Sequence, residues 1–271
     1  MKRFLCHIII FGIIVIQGSV SWANTPWEEF NKLKENYYLF DYQEVDSVTC
    51  RIVAPSLDPK KMSEPLKPIE KNIKIVENIG DFKVTYSRDN GLTFVVPRFK
   101  AFIVSPETAE DLKQLEYSVN SFNQSTEGAI QGLVQSIEGI LDEFMLPKKE
   151  SVSDLQVSNN GSETTIKYNR RGASHVDVYS GNMRKTNANM PGLELESHDV
   201  FENIKGKLFL SKSSINIKQG ETTIDSKVVI QPKDLGRIFF PMFIEQKVHI
   251  SNPNFNMDAD LALTFDQCKV D

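Results

Sequence analysis

The strongest constraint on the fold of this chain is one long helical segment within a sequence that otherwise reads as strands. Between Ser105 and Leu146, apolar residues recur in steps of three and four, which places them on one face of a helix. The polar stretch from Asn123 to Gly128 interrupts this segment and predicts two helices with a break or a kink between them. Elsewhere apolar and polar residues alternate, as in strands with one dry and one wet face. We therefore expect an α+β fold in which a curved antiparallel sheet or open β-barrel of about ten strands is covered by this central helical insertion.

The first residues have the features of a secretory signal peptide. Met1 to Ala23 contains two basic residues, an apolar run from Phe4 to Ile16 and a small-residue cleavage motif, which together predict export and cleavage. A retained membrane anchor is the alternative, but the apolar run is shorter than the roughly 20 residues that span a bilayer. We expect residues 24–271 to form one periplasmic, sheet-rich domain with no permanent membrane span after cleavage. A capping box at Thr25–Glu28 predicts that this domain begins with a short N-terminal helix.

Two cysteines follow the signal peptide, Cys50 and Cys268. An oxidising compartment favours a disulfide between them over two free buried thiols. The alternation raises one difficulty, because Cys50 shares the apolar side of its strand with Val48 and Ile52, whereas Cys268 falls on the polar side of the last strand. Either a bulge shifts the register after Phe265, or the two cysteines are not bonded.

Charge and composition exclude several functional classes. The formal net charge is −5. An acidic chain without clustered lysine and arginine binds nucleic acid poorly. The few histidines and cysteines leave little from which to build a transition-metal site. Glycine-rich phosphate-binding loops are absent from the sequence. We therefore predict no metal, no cofactor and no nucleic-acid partner.

Hairpin registers can be predicted because side chains of one face must pair with each other across a turn. The alternation predicts a three-residue loop at Asp89–Gly91, two-residue turns at Asn160-Gly161 and Gln219-Gly220, and a four-residue loop at Ser251–Asn254. The last of these loops would set Ile244 opposite Leu261 and would point Pro241 outward.

The apolar residues suited to ligand binding lie on the helical segment and on the last strand. Leu133, Ile137 and Ile140 belong to the helical stripe, and Leu261 and Leu263 to the dry face of the strand. They are either packed core residues or the walls of an internal cavity. A second feature is Phe239 and Phe243, which are predicted to face outward. They would form an exposed patch for lipid or a partner, unless a neighbouring loop covers them.

Catalytic groups are scarce. His175 with Asp177, and His198 with Asp199, are the pairings of histidine and carboxylate that lie near each other in sequence. His175 and Asp177 point to one side of a strand whose other side carries Val176, so a wet outer face accounts for them. A hydrolase would also need a nucleophile beside the histidine. We therefore predict that the protein is not an enzyme.

The order of elements resembles a known family. A signal peptide, a short amphipathic helix, antiparallel strands, a helical insertion and a final strand ending in Phe265–Asp271 are similar in pattern to the periplasmic lipoprotein carrier LolA and its LolA/LolB-like relatives. The polar segment from Met183 to His198 has no counterpart in that pattern. The resemblance implies an open barrel with helices as its lid and acyl chains held between them. It also implies a lipid, a lipoprotein acyl chain or an envelope protein as partner.

Three functional hypotheses follow from these features. The first is a carrier of an acyl chain, lipid or lipoprotein, which requires a cavity between the helical segment and the sheet. The second is a non-enzymatic structural or regulatory interaction module on the same fold, which would have a solid interior. The third is a hydrolase, which would need His175 or His198 beside a nucleophile. Cavity volume separates the first two hypotheses, and the histidine surroundings test the third.

Overall fold

The computed structural model describes residues 25–108 and 111–271, so the predicted signal peptide lies outside the described residues. The helices are α1 (Pro26–Lys34), α2 (Pro59–Ser63) and α3 (Leu112–Asp142). The strands are β1 (Ser47–Val53), β2 (Ile73–Glu77), β3 (Lys83–Ser87), β4 (Gly91–Val95), β5 (Phe99–Ile103), β6 (Val152–Asn160), β7 (Glu163–Arg170), β8 (Ala173–Ser180), β9 (Met183–Met190), β10 (Leu193–Ile204), β11 (Lys207–Gln219), β12 (Thr222–Asp234), β13 (Phe239–Asn252) and β14 (Phe255–Val270).

Most of these strands form one antiparallel sheet. Within the described residues, twelve strands pair in the order β4-β3-β1-β14-β13-β12-β11-β10-β9-β8-β7-β6, and β2 pairs separately with β5. The sheet is curved but not closed. This confirms the predicted α+β class with a central helix and a short N-terminal helix. The segment from Met183 to His198 belongs to the sheet as β9 and the first half of β10.

β1 and β14, which come first and last along the chain, are neighbours in the large sheet and are covalently joined. β1 pairs with β14, and a Cys50–Cys268 disulfide links them with the two Cα atoms 4.1 Å apart, which confirms the predicted bond. The pairing shifts by one residue between Thr49 and Arg51, opposite Gln267, whose φ is +49°. A bulge at this position moves Cys268 to the side of the strand that Cys50 occupies.

The central helix is continuous, so the predicted break between Asn123 and Gly128 is wrong. α3 runs for 31 residues from Leu112 to Asp142. The Asn123 side chain donates to the carbonyl oxygen of Ala101 at 2.9 Å and accepts from its N–H at 2.8 Å. The polar Asn123 in mid-helix therefore bonds the backbone N–H and C=O of Ala101 on the free edge of β5, and it does not end the helix.

The predicted hairpin registers keep the correct faces but are displaced by two residues. Ile166 faces Val157, and Ile224 faces Ile217. The observed connections are the loop Arg88–Asn90 and the two-residue turns Gly161-Ser162, Gly220-Glu221 and Pro253-Asn254. Gly161 and Gly220 have φ of +64° and +59°, so each occupies the first turn position, where a tight hairpin needs a positive φ. Face parity cannot distinguish registers that differ by two residues.

The last hairpin shows the same displacement. Ile244 faces Leu263, and Leu261 faces Gln246. Pro241 is buried instead of pointing outward. The pairing of β12 with β13 shifts at Pro232, which leaves Met242 as an extra residue in β13. This bulge turns Pro241 toward the interior.

The core lies between α3 and the face of the sheet that it covers, called here the inner face. The C-terminal half of α3 buries Leu133, Ile137 and Leu141 against strand residues such as Ile244 and Leu263. The N-terminal half packs in a separate small cluster with Leu66 and Ala101. The helix is therefore anchored near both ends on different supports. No helix in the described part of the chain is long and apolar enough to cross a membrane.

Candidate functional site

An open apolar groove lies between the middle of α3 and the inner face of the sheet. Its volume is about 570 Å³. One wall is α3, the second consists of Val248, Ala259 and Leu261 from β13 and β14, and the third includes Leu57 and Met62 near α2. We call this space the apolar groove.

Small residues on α3 keep the apolar groove open. The helix wall consists largely of Ser125, Ala129, Gly132 and Ser136, whose spacing of four, three and four residues forms a stripe on one flank of the helix. An added Cβ at Gly132 would meet no atom within 4 Å. Our prediction from sequence considered large apolar residues and missed this stripe, although its helical spacing is visible in the sequence.

A second cavity continues under the C-terminal half of α3. It has a volume of about 350 Å³. One side is apolar, and the other carries ionisable groups; the lining includes Ile140, Leu195, Ile215, Val228, Ile230, Glu143, Tyr168, Arg170, His175, Asp177, Arg184 and Asp199. We call this space the polar chamber.

A hydrogen-bonded bridge from helix to sheet separates the two cavities. Ser136 Oγ donates to Gln246 Oε1 at 2.7 Å, and Gln246 Nε2 donates to Ser226 Oγ at 3.0 Å. Ser136 and Gln246 line both cavities. The groove and the chamber are therefore two compartments of one space beneath α3.

Ion pairs neutralise most charges of the polar chamber. Arg184 lies 2.7 Å from Asp199 and 2.5 Å from Glu143, and the side chains of Arg184 and Asp199 are only 11% and 2% exposed. Arg170 donates to Asp142 at 2.9 Å. Such pairs hold α3 and the sheet strands together, because removing one partner would leave a buried charge without compensation.

Asp177 is buried, so the prediction that His175 and Asp177 lie on a wet outer face is wrong. Asp177 is 2% exposed and shares the inner face of β8 with the half-buried His175 and with Tyr179. Val176 is half-buried on the opposite face. The interior beyond the end of α3 is polar, so ionisable side chains can be buried there. Valine is a common strand residue even where it is partly exposed, because it is β-branched. His198, in contrast, is exposed and bonds Glu196 at 2.7 Å.

The hydrogen bonds of Asp177 use one carboxylate oxygen. Its Oδ2 accepts from Tyr168 Oη at 3.1 Å and from Tyr179 Oη at 3.4 Å. Its Oδ1 has no hydrogen-bond partner among the described residues, and neither does His175 Nδ1. The His175 ring is stacked on Tyr168 with the ring centroids 4.8 Å apart. Burial lowers the pKa of His175 below its usual range.

Lys34 is a buried cation at the back of this network. It extends from the end of α1, and its Nζ donates to Tyr179 Oη at 2.9 Å. The Nζ also lies 5.3–5.5 Å from the ring centroids of Phe30, Tyr37 and Tyr179, within the range of cation–π attraction. Burial, assisted by the charge of Arg184, lowers the pKa of Lys34 to about 8.

This pKa predicts a dependence of stability on pH. Between its folded-state pKa of about 8 and its ordinary value of 10.5, Lys34 holds a proton more tightly in the unfolded chain. The free energy of unfolding should therefore rise with pH in this window, by about 2 to 3 kcal/mol from pH 7 to pH 10. Lys34→Met lacks this titration.

Urea unfolding of both proteins at pH 7 and pH 10 measures this contribution. The free energy of unfolding of Lys34→Met minus that of the wild type should fall by that amount as the pH rises, because the two proteins share all other titrating groups. An unchanged difference between the two proteins would contradict a strongly lowered pKa for Lys34.

The predicted apolar ligand residues are divided among three environments. Leu133 and Leu261 line the apolar groove, and Ile140 lines the polar chamber. Ile137 and Leu263 are fully buried in the packed core, so they support the cavity walls and do not face the cavity themselves.

The predicted aromatic patch is partly covered. Phe239 is half-buried against the Tyr38 ring, with the two ring centroids 5.9 Å apart. Lys205 Nζ lies 4.7 Å from the ring centroid of Phe239. Phe243 is also half-buried. Phe239 is therefore covered on one side by the segment that follows α1.

A third depression lies on the other side of α3, between the helix and β4, β2 and β5. It has a volume of about 900 Å³, and exposed apolar residues such as Val95 and Phe102 line it together with Arg98 and Lys100. Val95 and Phe102 are 52% and 46% exposed. We call this the outer depression.

No family model matches this chain, and neither does any curated protein or solved structure with which it was compared. The class of protein is therefore defined by the fold and the site: an open antiparallel sheet packed on one long helix, with a divided cavity between them.

Proposed function

We propose that this protein is an exported, non-enzymatic carrier that binds an acyl chain, either of a lipid or of a lipoprotein, between α3 and the inner face of the sheet. The observation that carries the proposal is the apolar groove, whose helix wall is built from small residues. A helix that served only to cover the core would fill this space with large side chains.

The size and lining of the cavity support this function. The groove and the chamber have volumes of about 570 Å³ and 350 Å³, within the range of roughly 300–1,000 Å³ typical of small-molecule sites. Met62, Phe122, Leu133 and Leu261 supply apolar surface to the groove. An apolar guest that displaces water from such walls gains free energy through the hydrophobic effect.

Export is supported by the disulfide. Bonds such as Cys50–Cys268 persist in oxidising compartments, including the bacterial periplasm. The amino-terminal signal-peptide pattern agrees with this location. The resemblance to the periplasmic lipoprotein carriers supports the same ligand class.

Filling the groove from the helix tests the proposal. In Gly132→Phe the added ring would occupy the apolar groove, so the affinity for a fluorescent long-chain fatty acid should fall by about tenfold or more. Stability should be retained, because a Cβ at Gly132 meets open space and glycine within a helix costs about 1 kcal/mol relative to alanine. Fluorescence titration and thermal melting measure the two effects.

Gly128→Phe is the matched control. Gly128 lies one turn earlier on α3, also has open space at its Cβ position and lines none of the described cavities. It should bind the probe like the wild type. Leu261→Trp, which fills the groove from the sheet side, should reproduce the loss seen for Gly132→Phe. Wild-type affinity in Gly132→Phe would place the acyl chain elsewhere.

An interaction module is the second candidate, and the outer depression favours it. Contiguous exposed apolar residues such as Val95 and Phe102 often mark contacts with a partner. The same titration separates the two functions. A wild-type protein that takes up no fatty acid at high micromolar concentration would reject the carrier and leave the interaction module.

A further inference from the structure

The polar chamber contains a buried acceptor that the fold does not use. Asp177 is 2% exposed and lines the chamber, yet its Oδ1 has no hydrogen-bond partner among the described residues. A buried carboxylate oxygen without a donor costs free energy, and proteins rarely keep one without a reason. His175 Nδ1, on the same wall, is a second polar atom without a hydrogen-bond partner in the part of the chain that the structure describes.

The cations of the chamber are committed to other groups. Arg184 pairs with Asp199 and Glu143, and Arg170 pairs with Asp142. Lys34 reaches Asp177 only through the hydroxyl of Tyr179. Arg171 also lies 3.9 Å from Asp142, so four cations and four carboxylates balance in the cluster, and Asp177 is the carboxylate without a direct ion pair among the described residues. A guest that brings a positive charge would give Asp177 such a partner.

The rest of the chamber is suited to a hydrocarbon chain. Ile140 of α3, Ile215 of β11 and Val228 of β12 supply apolar surface to the chamber beside the ionisable groups. Gln135 and Gly139 line the chamber and are exposed, so the space reaches the surface along the flank of α3. A molecule with a polar head and an apolar chain therefore matches both sides.

We propose that the polar chamber binds the ammonium head of an amphiphilic primary amine, with the Asp177 carboxylate as its acceptor and the hydrocarbon chain directed along Ile140 toward the apolar groove. This proposal rests on the proposed function, since it names the headgroup of the ligand held beneath α3. An ammonium group has three donors and would serve both Asp177 Oδ1 and His175 Nδ1. A carboxylate headgroup would instead be repelled by the Asp177 carboxylate, because Arg184 is already paired with Asp199 and Glu143.

The experiment compares two amphiphiles with the same chain. Isothermal titration calorimetry at pH 7 measures the Kd of dodecylamine and of dodecanoate, each below its critical micelle concentration. The wild type should bind dodecylamine at least about tenfold more tightly, because a charge-assisted hydrogen bond contributes about that factor. Asp177→Asn keeps an oxygen for Tyr168 and Tyr179 but removes the charge, so it should lose the preference for the amine and should bind dodecanoate at least as tightly as the wild type does.

Each outcome decides the proposal. Equal affinities, or tighter binding of dodecanoate, would overturn the amine headgroup and leave the acyl carrier standing. Binding of neither amphiphile would overturn both. If Asp177→Asn does not fold, Gly139→Phe replaces it, since Gly139 lines the chamber and its added Cβ meets open space. That variant should lose the preference for the amine, and a preference that persists in it would overturn the proposal.

Discussion

Replacing Ile137 with aspartate is expected to destabilise the protein by at least about 4 kcal/mol, enough to leave much of the chain unfolded at 37 °C. Ile137 is fully buried at the centre of the α3 face that packs against the sheet. Aspartate there would lose the apolar contacts and bury a carboxylate in the hydrophobic cluster that includes Leu133 and Leu141. The fold depends on this helix because α3 covers the inner face of the sheet.

Urea unfolding followed by circular dichroism measures this effect. Gln124→Asp is the matched control, because Gln124 is exposed on the same helix and the substitution introduces the same residue into the helix interior. The control should change the free energy of unfolding by less than about 1 kcal/mol. Wild-type-like melting of Ile137→Asp would show that the assigned helix face is wrong.

Removal of the Cys50–Cys268 disulfide is expected to lower the free energy of unfolding by about 5 kcal/mol. The bond joins residues separated by 218 positions, and closing so long a loop removes much of the entropy of the unfolded chain. The double variant Cys50→Ala/Cys268→Ala should keep its fold under mild conditions. The ladder between β1 and β14 remains, as do the two hydrogen bonds that Arg51 donates to Asp266 at 2.7 and 2.5 Å.

Reductant provides the control for this prediction. A reducing agent should lower the urea midpoint of the wild type toward that of the double variant and should leave the variant unchanged. If the two proteins unfold at the same urea concentration without reductant, the bond contributes nothing to stability.

Periodicity predicted the features that depend on neighbouring residues in the chain. The steps of three and four between Ser105 and Leu146 located α3, and apolar alternation located most of the strands. The capping box at Thr25–Glu28 marked α1, where the Thr25 side chain accepts from the Glu28 N–H as expected. The two cysteines that follow the predicted signal peptide predicted the disulfide. Each of these signals is local or compositional, so the sequence carries it directly.

Contacts between distant segments decided the continuity of the helix. The polar residues around Asn123 look like a break until Ala101 of β5 is placed beside them, which only folding can do. The turn registers are a similar case. A displacement of two residues keeps every side chain on its face, so in the two glycine turns the choice rested on the positive φ of Gly161 and Gly220.

The candidate site was the least predictable part, because alternation reveals that a strand has two faces but not which face the fold will cover. In β8 the valine side resembled a core, yet Asp177 and Tyr179 lie inside, since Lys34 of α1 donates to the Tyr179 hydroxyl and Tyr168 of β7 donates to one oxygen of Asp177. The open groove likewise depends on folding, which places Gly132 of α3 and Leu261 of β14 on two of its walls. The sequence by itself determined the elements and the disulfide, because local periodicity and residue type encode them. Only the tertiary structure decided where polar groups are buried and where space remains, because both depend on side chains far apart in the chain.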